Sequence, residues 1–317
     1  MESVSKKIVL LHWIGRFGNR MFQYAFGCSY AKKYDCIFYM PSEWEGTLIF
    51  KKNKYTKIVT DDELRLHINQ KFVDKKYRSM HLDNYKKRTG DSIELVKFNN
   101  KQNVGKTNIA FQDLYCMHFS FLFEIMDSNF LKEIFTFNDN VKNSEMYKWF
   151  ESRKHTYDLC HLRRGDISYI NYQGSHSMIS KESYLNQLNI LKINKDDIVW
   201  ISDDPCEKTP NIWNVKSAGH IWDYPCGEQY CPEIFLDFLP DLLNIIFARK
   251  ILRGNSSFSW WGVFLSNAVE IYSPLIKPKP IELKNKYFKQ DTEFVKGNHP
   301  HFMGNKCEHL FNDIIFV

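Results

Sequence analysis

Residues 157–162 form an apolar, β-prone run that feeds without a break into Arg163, Arg164, Gly165 and Asp166. A buried strand ending in charge delivers those side chains to the edge of a sheet, where ligands bind. Adjacent guanidiniums repel one another. Such a pair suits a place where a phosphate or diphosphate takes bidentate hydrogen bonds from at least one of them. The plain alternative is a solvated loop pair. Gly165 lets the backbone turn sharply and come close to a ligand.

The residues after this strand alternate between helix and strand patterns, the signature of a parallel, doubly wound sheet. The spacing predicts a helix over 181–191 and a strand over 197–201. Ser202, Asp203 and Asp204 then end that strand in a carboxylate pair, before Pro205 and Cys206 open a short helix. Carboxylates at a strand's carboxyl end bind sugar hydroxyls or a base, or simply cap the following helix. A helix over 232–247 carries Asp237 and Asp241, and a short strand over 250–252 leads into Gly254, Asn255, Ser256, Ser257, Phe258, Ser259, Trp260, Trp261 and Gly262. That string puts three serine hydroxyls and the N–H groups of a helix's first turn at one strand end, a phosphate site by geometry. Read plainly, it is a serine N-cap with a tryptophan core pair behind it.

In the first half, a strand over 7–13 precedes Gly15, Arg16, Phe17, Gly18, Asn19 and Arg20, and a helical pattern follows from Met21. Two glycines between strand and helix make a loop that can cradle a ligand against a helix amino end. A third glycine and a distal acid are missing, which argues against a dinucleotide fingerprint. A second strand is expected over 36–40, closed by Pro41. Residues 51–106 are polar, lysine-rich and poorly periodic, with a short strand at 57–59 and a helical fragment at 61–69, and read as insertions of weak order. Residues 111–137 are aromatic with a helical rhythm, and a helix over 146–153 hands the chain to the second domain near Lys154. The expected domains are therefore 1–154 and 155–317.

A chain of 317 residues suits two domains of roughly 150 residues. An apolar fraction of 44% excludes disorder, and no apolar run is long enough to span a bilayer. The amino terminus lacks a small-residue cleavage site and reads as a first strand. Eight cysteines show no metal-type CxxC pairing, and Cys28, Cys116 and Cys160 sit in apolar segments. Thiols in a reducing compartment are favoured over a disulfide framework. The net charge of +6 fits an anionic small ligand. The lysines of 51–106 alternate with acids without aromatic interleaving, so they read as a solvated face rather than a nucleic-acid surface.

Together, Gly15-Arg16-Phe17-Gly18-Asn19 with Met21-Phe22-Gln23-Tyr24-Ala25, His161-Leu162-Arg163-Arg164-Gly165-Asp166, Ser202-Asp203-Asp204 and Asn255-Ser256-Ser257-Phe258-Ser259-Trp260-Trp261 occur in the order and rough spacing of the α-1,2-fucosyltransferase family. The chain resembles this family over nearly its whole length. The resemblance implies an α/β, GT-B-like fold in which two Rossmann-like domains face a cleft. It also implies a GDP-fucose donor in the carboxyl-terminal domain, a glycan acceptor on the amino-terminal side, inversion at the anomeric carbon and no required metal or other cofactor. Arg163 and Arg164 would meet the charge on the departing diphosphate. Ser256 and Ser257 would complete the cradle, and His161 or Asp241, an aspartate that family members carry before this motif, would contact guanine or ribose. Gly15, Gly18, Ser202, Asp203, Asp204, Asn255, Phe258 and Ser259 are the remaining donor-site candidates, and Asn19 and Asp166 are candidates for the reacting end. Asp166 is either the base that takes the acceptor's proton or an ion-pair partner that pins Arg164.

The chain also departs from the family. Arg20 stands where the family usually has glutamine, adding a cation to the loop that faces donor or acceptor. Ala248 stands where a cysteine is common, and 51–106 matches nothing in the family. Acceptor choice is assigned to 51–106 and 111–126. Animal members carry an amino-terminal membrane anchor; its lack here implies a cytoplasmic enzyme of microbial or viral type. The rival readings are a transferase of the same fold with another nucleotide sugar or linkage, and a non-catalytic sugar- or nucleotide-binding module. The tail of the second domain is expected to pack back on the first.

Overall fold

The structure, a computed structural model, describes residues 7–60, 63, 94–96, 108–111, 127–164, 178–204, 236–275 and 289–298, and at 94–96, 108–111 and 289–290 the backbone alone. Outside the described residues lie Gly165 and Asp166, nearly all of 61–106, the aromatic stretch 112–126, the short helix expected at Pro205 and the tail beyond 298. The chain divides into two compact units, Met1–Asn138 and Asp139–Val317.

The first unit runs β1 (Lys7–Leu10), α1 (Phe17–Tyr34), β2 (Ile37–Pro41), α2 (Gly46–Ile49), β3 (Thr56–Val59), β4 (Glu94–Val96), β5 (Asn108–Phe111) and α3 (Ser128–Ile134). Its sheet has the order β3-β2-β1-β5-β4, with every described pairing parallel. The chain steps outward from β1 through β2 to β3, then returns on the other side of β1 with β5. That reversal opens a crevice at the carboxyl end of β1, where such sheets bind ligands. Phe111 closes a strand rather than opening a helix. Much of the aromatic content of this unit is spent on its core. Tyr24 of α1 packs on Trp44 at 4.0 Å, Trp13 stacks on Trp44 at 5.4 Å, and Phe50 meets Phe135 and Phe137 at 5.1 and 5.5 Å. In the expected helical fragment at 61–69, Thr60 and Glu63 form a reciprocal capping box: Thr60 N–H donates to Glu63 Oε2 at 2.8 Å and Glu63 N–H to Thr60 Oγ1 at 3.2 Å.

The second unit contains α4 (Asp139–Asn143), α5 (Glu145–Ser152), β6 (Asp158–Leu162), β7 (Met178–Ile179), α6 (Lys181–Ile190), β8 (Ile198–Ser202), α7 (Leu239–Phe247), β9 (Lys250–Leu252), α8 (Ser257–Leu265), β10 (Glu270–Pro274), β11 (Lys289–Gln290) and β12 (Phe294–Lys296). The division falls before α4, whereas the sequence placed it near Lys154. The reason is packing: α5 buries Met146 and Phe150, and its Tyr147 meets Phe247 of α7 edge-on at 5.3 Å. The main sheet has the order β12-β10-β9-β6-β8, parallel except for β12.

Strand alternation sends apolar side chains to both faces. Cys160, Leu162 and Leu252 pack with Tyr184 and Leu188 of α6, while Leu159, Ile201 and Ile251 pack with Ile245 of α7 and Val263 of α8. Helices on both faces of a parallel sheet make the second unit Rossmann-like, and the first shares its α/β, parallel-sheet character. At its amino end β6 is anchored by Asp158, whose carboxylate accepts from Arg249 Nε and Nη2 at 2.8 and 2.7 Å. Cys28 and Cys160 are buried thiols whose pKa burial pushes upward, so they act as core residues. Among the described residues no helix is long and apolar enough to cross a membrane.

Candidate functional site

In the second unit the chain goes from β6 to its neighbour β8 on one side and later to β9 on the other. The order therefore reverses between β6 and β9, and their carboxyl ends flank the crevice of an open α/β sheet. Arg163 and Arg164 leave β6 at that point, and Arg253 to Ser256 leave β9 beside it.

The arginine turn is held from two sides. Arg164 N–H donates to Asp203 Oδ1 at 2.6 Å, and its Nη1 donates to the carbonyls of Ile179 and Arg163 at 2.9 and 3.2 Å. Arg164 is 5% exposed. Its guanidinium is thus fixed in place. Asp203 Oδ2 lies 3.9 Å from Arg163 Nε, so the aspartate at the end of β8 both receives the turn's amide and balances part of its charge. Ser202 accepts from Asp204 N–H at 3.0 Å, a local turn that spends its hydroxyl. In the Ser202-Asp203-Asp204 string, Asp203 sets the arginine turn.

On the other side of the crevice Ser256 caps α8, accepting from Phe258 N–H at 3.2 Å. Ser259 is buried and donates to the carbonyls of Gly254 and Ser256 at 3.2 and 3.1 Å. Two of the three serine hydroxyls expected in a phosphate cradle are thus committed inside the loop. Ser257, the first residue of α8, is partly exposed at the same turn. Asn255 is buried beside them. Trp260 and Trp261 form the expected core pair, 5.0 Å apart and nearly perpendicular.

His161 joins the two sides. Its carbonyl accepts from Tyr184 Oη at 2.8 Å, and its Nδ1 is buried with no hydrogen-bond partner. Burial lowers its pKa to about 3, against the opposing pull of Asp203 and with further lowering by Arg163, Arg164 and Arg253, so the ring is neutral. Gly254 fits against it so closely that a Cβ there would stand 2.7 Å from the His161 carbonyl oxygen and 2.8 Å from Nδ1. Phe258 lies 6.2 Å from the His161 ring and 6.1 Å from Phe238. Asp241 sits in the first turn of α7, three residues beyond Phe238.

In the first unit the loop after β1 is closed by its own side chains. Gly15 has φ +69°, and a Cβ there would meet Asn19 Nδ2 at 2.4 Å. Gln23, buried on α1, accepts from Ile14 N–H at 3.2 Å and donates to the Ile14 carbonyl at 2.8 Å. Arg20 donates from Nε to the Gly15 carbonyl at 3.0 Å, and from Nη1 to the Glu43 carbonyl at 3.0 Å and Glu45 Oε1 at 2.9 Å. Arg20, the cation added to this loop, ties it to the turn after β2. Gly18 is buried in the first turn of α1, next to Asn19.

No protein-family model matches the chain, and no curated protein sequence does. Its fold is similar to solved fucosyltransferases. The fucosyltransferase NodZ from Bradyrhizobium is 11% identical, with 93% of this chain and 100% of that one covered, at a TM-score of 0.48. POFUT1 in complex with GDP is 12% identical over 85% and 97% of the two chains, at 0.46. FUT1 of Arabidopsis thaliana in complex with GDP is 11% identical over 89% and 73%, at 0.48. Likeness of this degree does not reach the chemistry of a site.

Two residues that matter here were not singled out by the sequence reading. Arg253 is fully buried at the end of β9, donating from Nε to Ser273 Oγ at 2.9 Å and from Nη1 to the Gly254 carbonyl at 3.3 Å. Burial lowers its pKa to about 9, partly offset by the Tyr184 hydroxyl. Its signal was present: β9, like β6, is an apolar run ending in arginine. Gln23 was visible as an amide within an apolar helix. Among the described residues no group of three His, Cys, Asp or Glu side chains is placed to hold a metal ion.

Proposed function

We propose that the chain transfers L-fucose from GDP-fucose to a galactose-like hydroxyl of a glycan acceptor, forming an α-1,2 linkage with inversion. The observation that carries this reading is the crevice between β6 and β9, where Arg163 and Arg164 stand across from the amino end of α8. Guanidiniums and helix amides at one strand edge suit a diphosphate. In the proposed step the acceptor oxygen forms a bond to the fucose anomeric carbon. The bond to the diphosphate oxygen breaks, its electron pair leaves with GDP, and the acceptor proton passes to Asp166. Arg163, Arg164 and the first-turn amides of α8 stabilise the charge that develops on the leaving diphosphate. His161 or Asp241 is assigned to the guanosine portion, and the loop from Gly15 to Asn19 to the donor or the acceptor.

The arginines and helix amides supply the charge stabilisation that a divalent cation would otherwise provide, so the transfer is assigned as metal-independent. A donor panel of GDP-fucose, GDP-mannose and UDP-sugars, scored by donor hydrolysis and by transfer to lactose with and without EDTA, tests the reading. Turnover of GDP-fucose that persists in EDTA is expected. Preference for another nucleotide sugar reassigns the donor, binding without turnover of any donor makes the chain a non-catalytic module, and loss in chelator with rescue by manganese overturns metal independence.

A further inference from the structure

We infer that Arg253 is the third cation of the anion site between β6 and β9, a positioning residue that acts from beneath the Gly254 loop without touching the ligand. The inference deepens the proposed function and rests on its diphosphate assignment. Arg253 is the last residue before that loop and has no solvent exposure. Its guanidinium is fixed by two described hydrogen bonds. Nε donates to Ser273 Oγ at 2.9 Å, and Ser273 Oγ itself donates to the Gly297 carbonyl at 2.5 Å. Nη1 reaches the Gly254 carbonyl, which also accepts from Ser256 N–H at 2.9 Å and from Ser259 Oγ at 3.2 Å. Three donors thus hold one carbonyl, and with it the turn that starts α8.

Burying a guanidinium costs several kcal/mol, so its retention under a ligand loop calls for a return in function. The return is its field. Gly254 touches His161, and His161 precedes Arg163, so the charge under the loop and the charges of the arginine turn bear on one spot. His161 registers this, since Arg163, Arg164 and Arg253 each disfavour its protonation. Against these three guanidiniums the described strand ends supply the carboxylates of Asp203 and Asp204. The net positive charge that these groups give the spot favours a bound anion.

The test is calorimetric titration of the full-length protein with pyrophosphate, GDP and guanosine, in wild type, Arg253→Met and Arg253→Lys. We expect Arg253→Met to weaken pyrophosphate and GDP about tenfold or more and to leave guanosine unchanged, with Arg253→Lys within about threefold of wild type. Unchanged pyrophosphate affinity in Arg253→Met overturns the inference. So does an equal loss for guanosine, which would make Arg253 a purely structural support. Should Arg253→Met fail to fold, Arg253→Lys decides alone: retained pyrophosphate binding supports the charge, and a tenfold loss rejects it. If wild type binds pyrophosphate and Arg253 governs that binding, but GDP binds no tighter than pyrophosphate, the donor assignment fails and the cation's role stands. If wild type binds neither, both fall.

Discussion

The two units place a ligand-type loop at the same topological point, and they treat its polar groups in opposite ways. After β1, Gln23 closes Ile14 from both sides, and Arg20 spends three hydrogen bonds on Gly15, Glu43 and Glu45. After β6 and β9, three guanidiniums are gathered and fixed around a neutral histidine, with Asp203 setting the turn. In the described contacts the arginine of one loop pairs with a carboxylate, and the other loop gathers three guanidiniums. A parallel sheet with a switch point offers a crevice in either case. What separates an anion site from a shaped loop is how many cations the strand ends bring together.

The largest effect that tests this contrast comes from Arg164→Ala. It removes a fixed cation together with the bonds to the Ile179 and Arg163 carbonyls. A loss of about 3 kcal/mol or more in transition-state stabilisation is expected, read as a fall of at least a hundredfold in kcat/KM for GDP-fucose. Arg163→Ala should follow with a smaller loss. Unaltered kcat/KM in both would remove the second loop from the chemistry.

The next effect uses the buried histidine. Its folded pKa of about 3 lies below the ordinary value of 6.5, so below pH 6.5 the unfolded chain binds a proton that the folded chain does not. The stabilisation is therefore complete above pH 6.5 and is lost at about 1.4 kcal/mol per pH unit as the pH falls toward 3. Denaturant midpoints between pH 7 and 5 should fall more steeply for wild type than for His161→Gln. Equal slopes would mean that the ring titrates normally in the folded protein.

These cases also show how much of the molecule could be read in the sequence. Strand β6 and the turn that follows it were legible because an apolar run that stops at paired charge marks the end of a buried strand, while the two readings of the arginine pair itself stayed open. The serine N-cap of α8 and the Trp260 and Trp261 pair were legible as the plain reading of that string, beside a phosphate site. The use of each polar group was not. That Ser256 and Ser259 bond within the loop, that Asp203 receives the Arg164 amide, and that Arg20 reaches Glu45 are all contacts between distant segments or exact turn geometries, which periodicity does not encode. The unit boundary was misplaced because α5 looks like a linker helix until Phe247 is seen against Tyr147.

The two glycines give a matched pair of smaller tests. Gly254→Ala forces a Cβ against the His161 carbonyl, backbone that cannot give way easily, while Gly15→Ala combines a left-handed φ with a clash on Asn19. Each should cost about 1–3 kcal/mol in unfolding free energy. Their effects on ligand should part. Gly254→Ala is expected to weaken pyrophosphate about tenfold by displacing the loop over Arg253, whereas Gly15→Ala leaves pyrophosphate binding within about twofold. Equal loss in both variants would erase the distinction between the loops.

The smallest effect concerns Arg20, the residue whose charge seemed at first to belong to a ligand. The side chains of Arg20 and Glu45 are 19% and 14% exposed, and two of the three described hydrogen bonds of Arg20 go to backbone carbonyls. Glutamine adds no charge and keeps a neutral donor, so Arg20→Gln should cost about 1 kcal/mol, mostly through the lost contacts to Gly15 and Glu43. A double-mutant cycle with Glu45→Gln should give a coupling below about 1 kcal/mol, with pyrophosphate affinity unchanged throughout. The opposite pattern would be a normal unfolding midpoint in Arg20→Gln together with a tenfold change in KM for donor or acceptor. That result would show a cation acting on substrate, and the loop after β1 would then be charged in function in the same sense as the loop after β6.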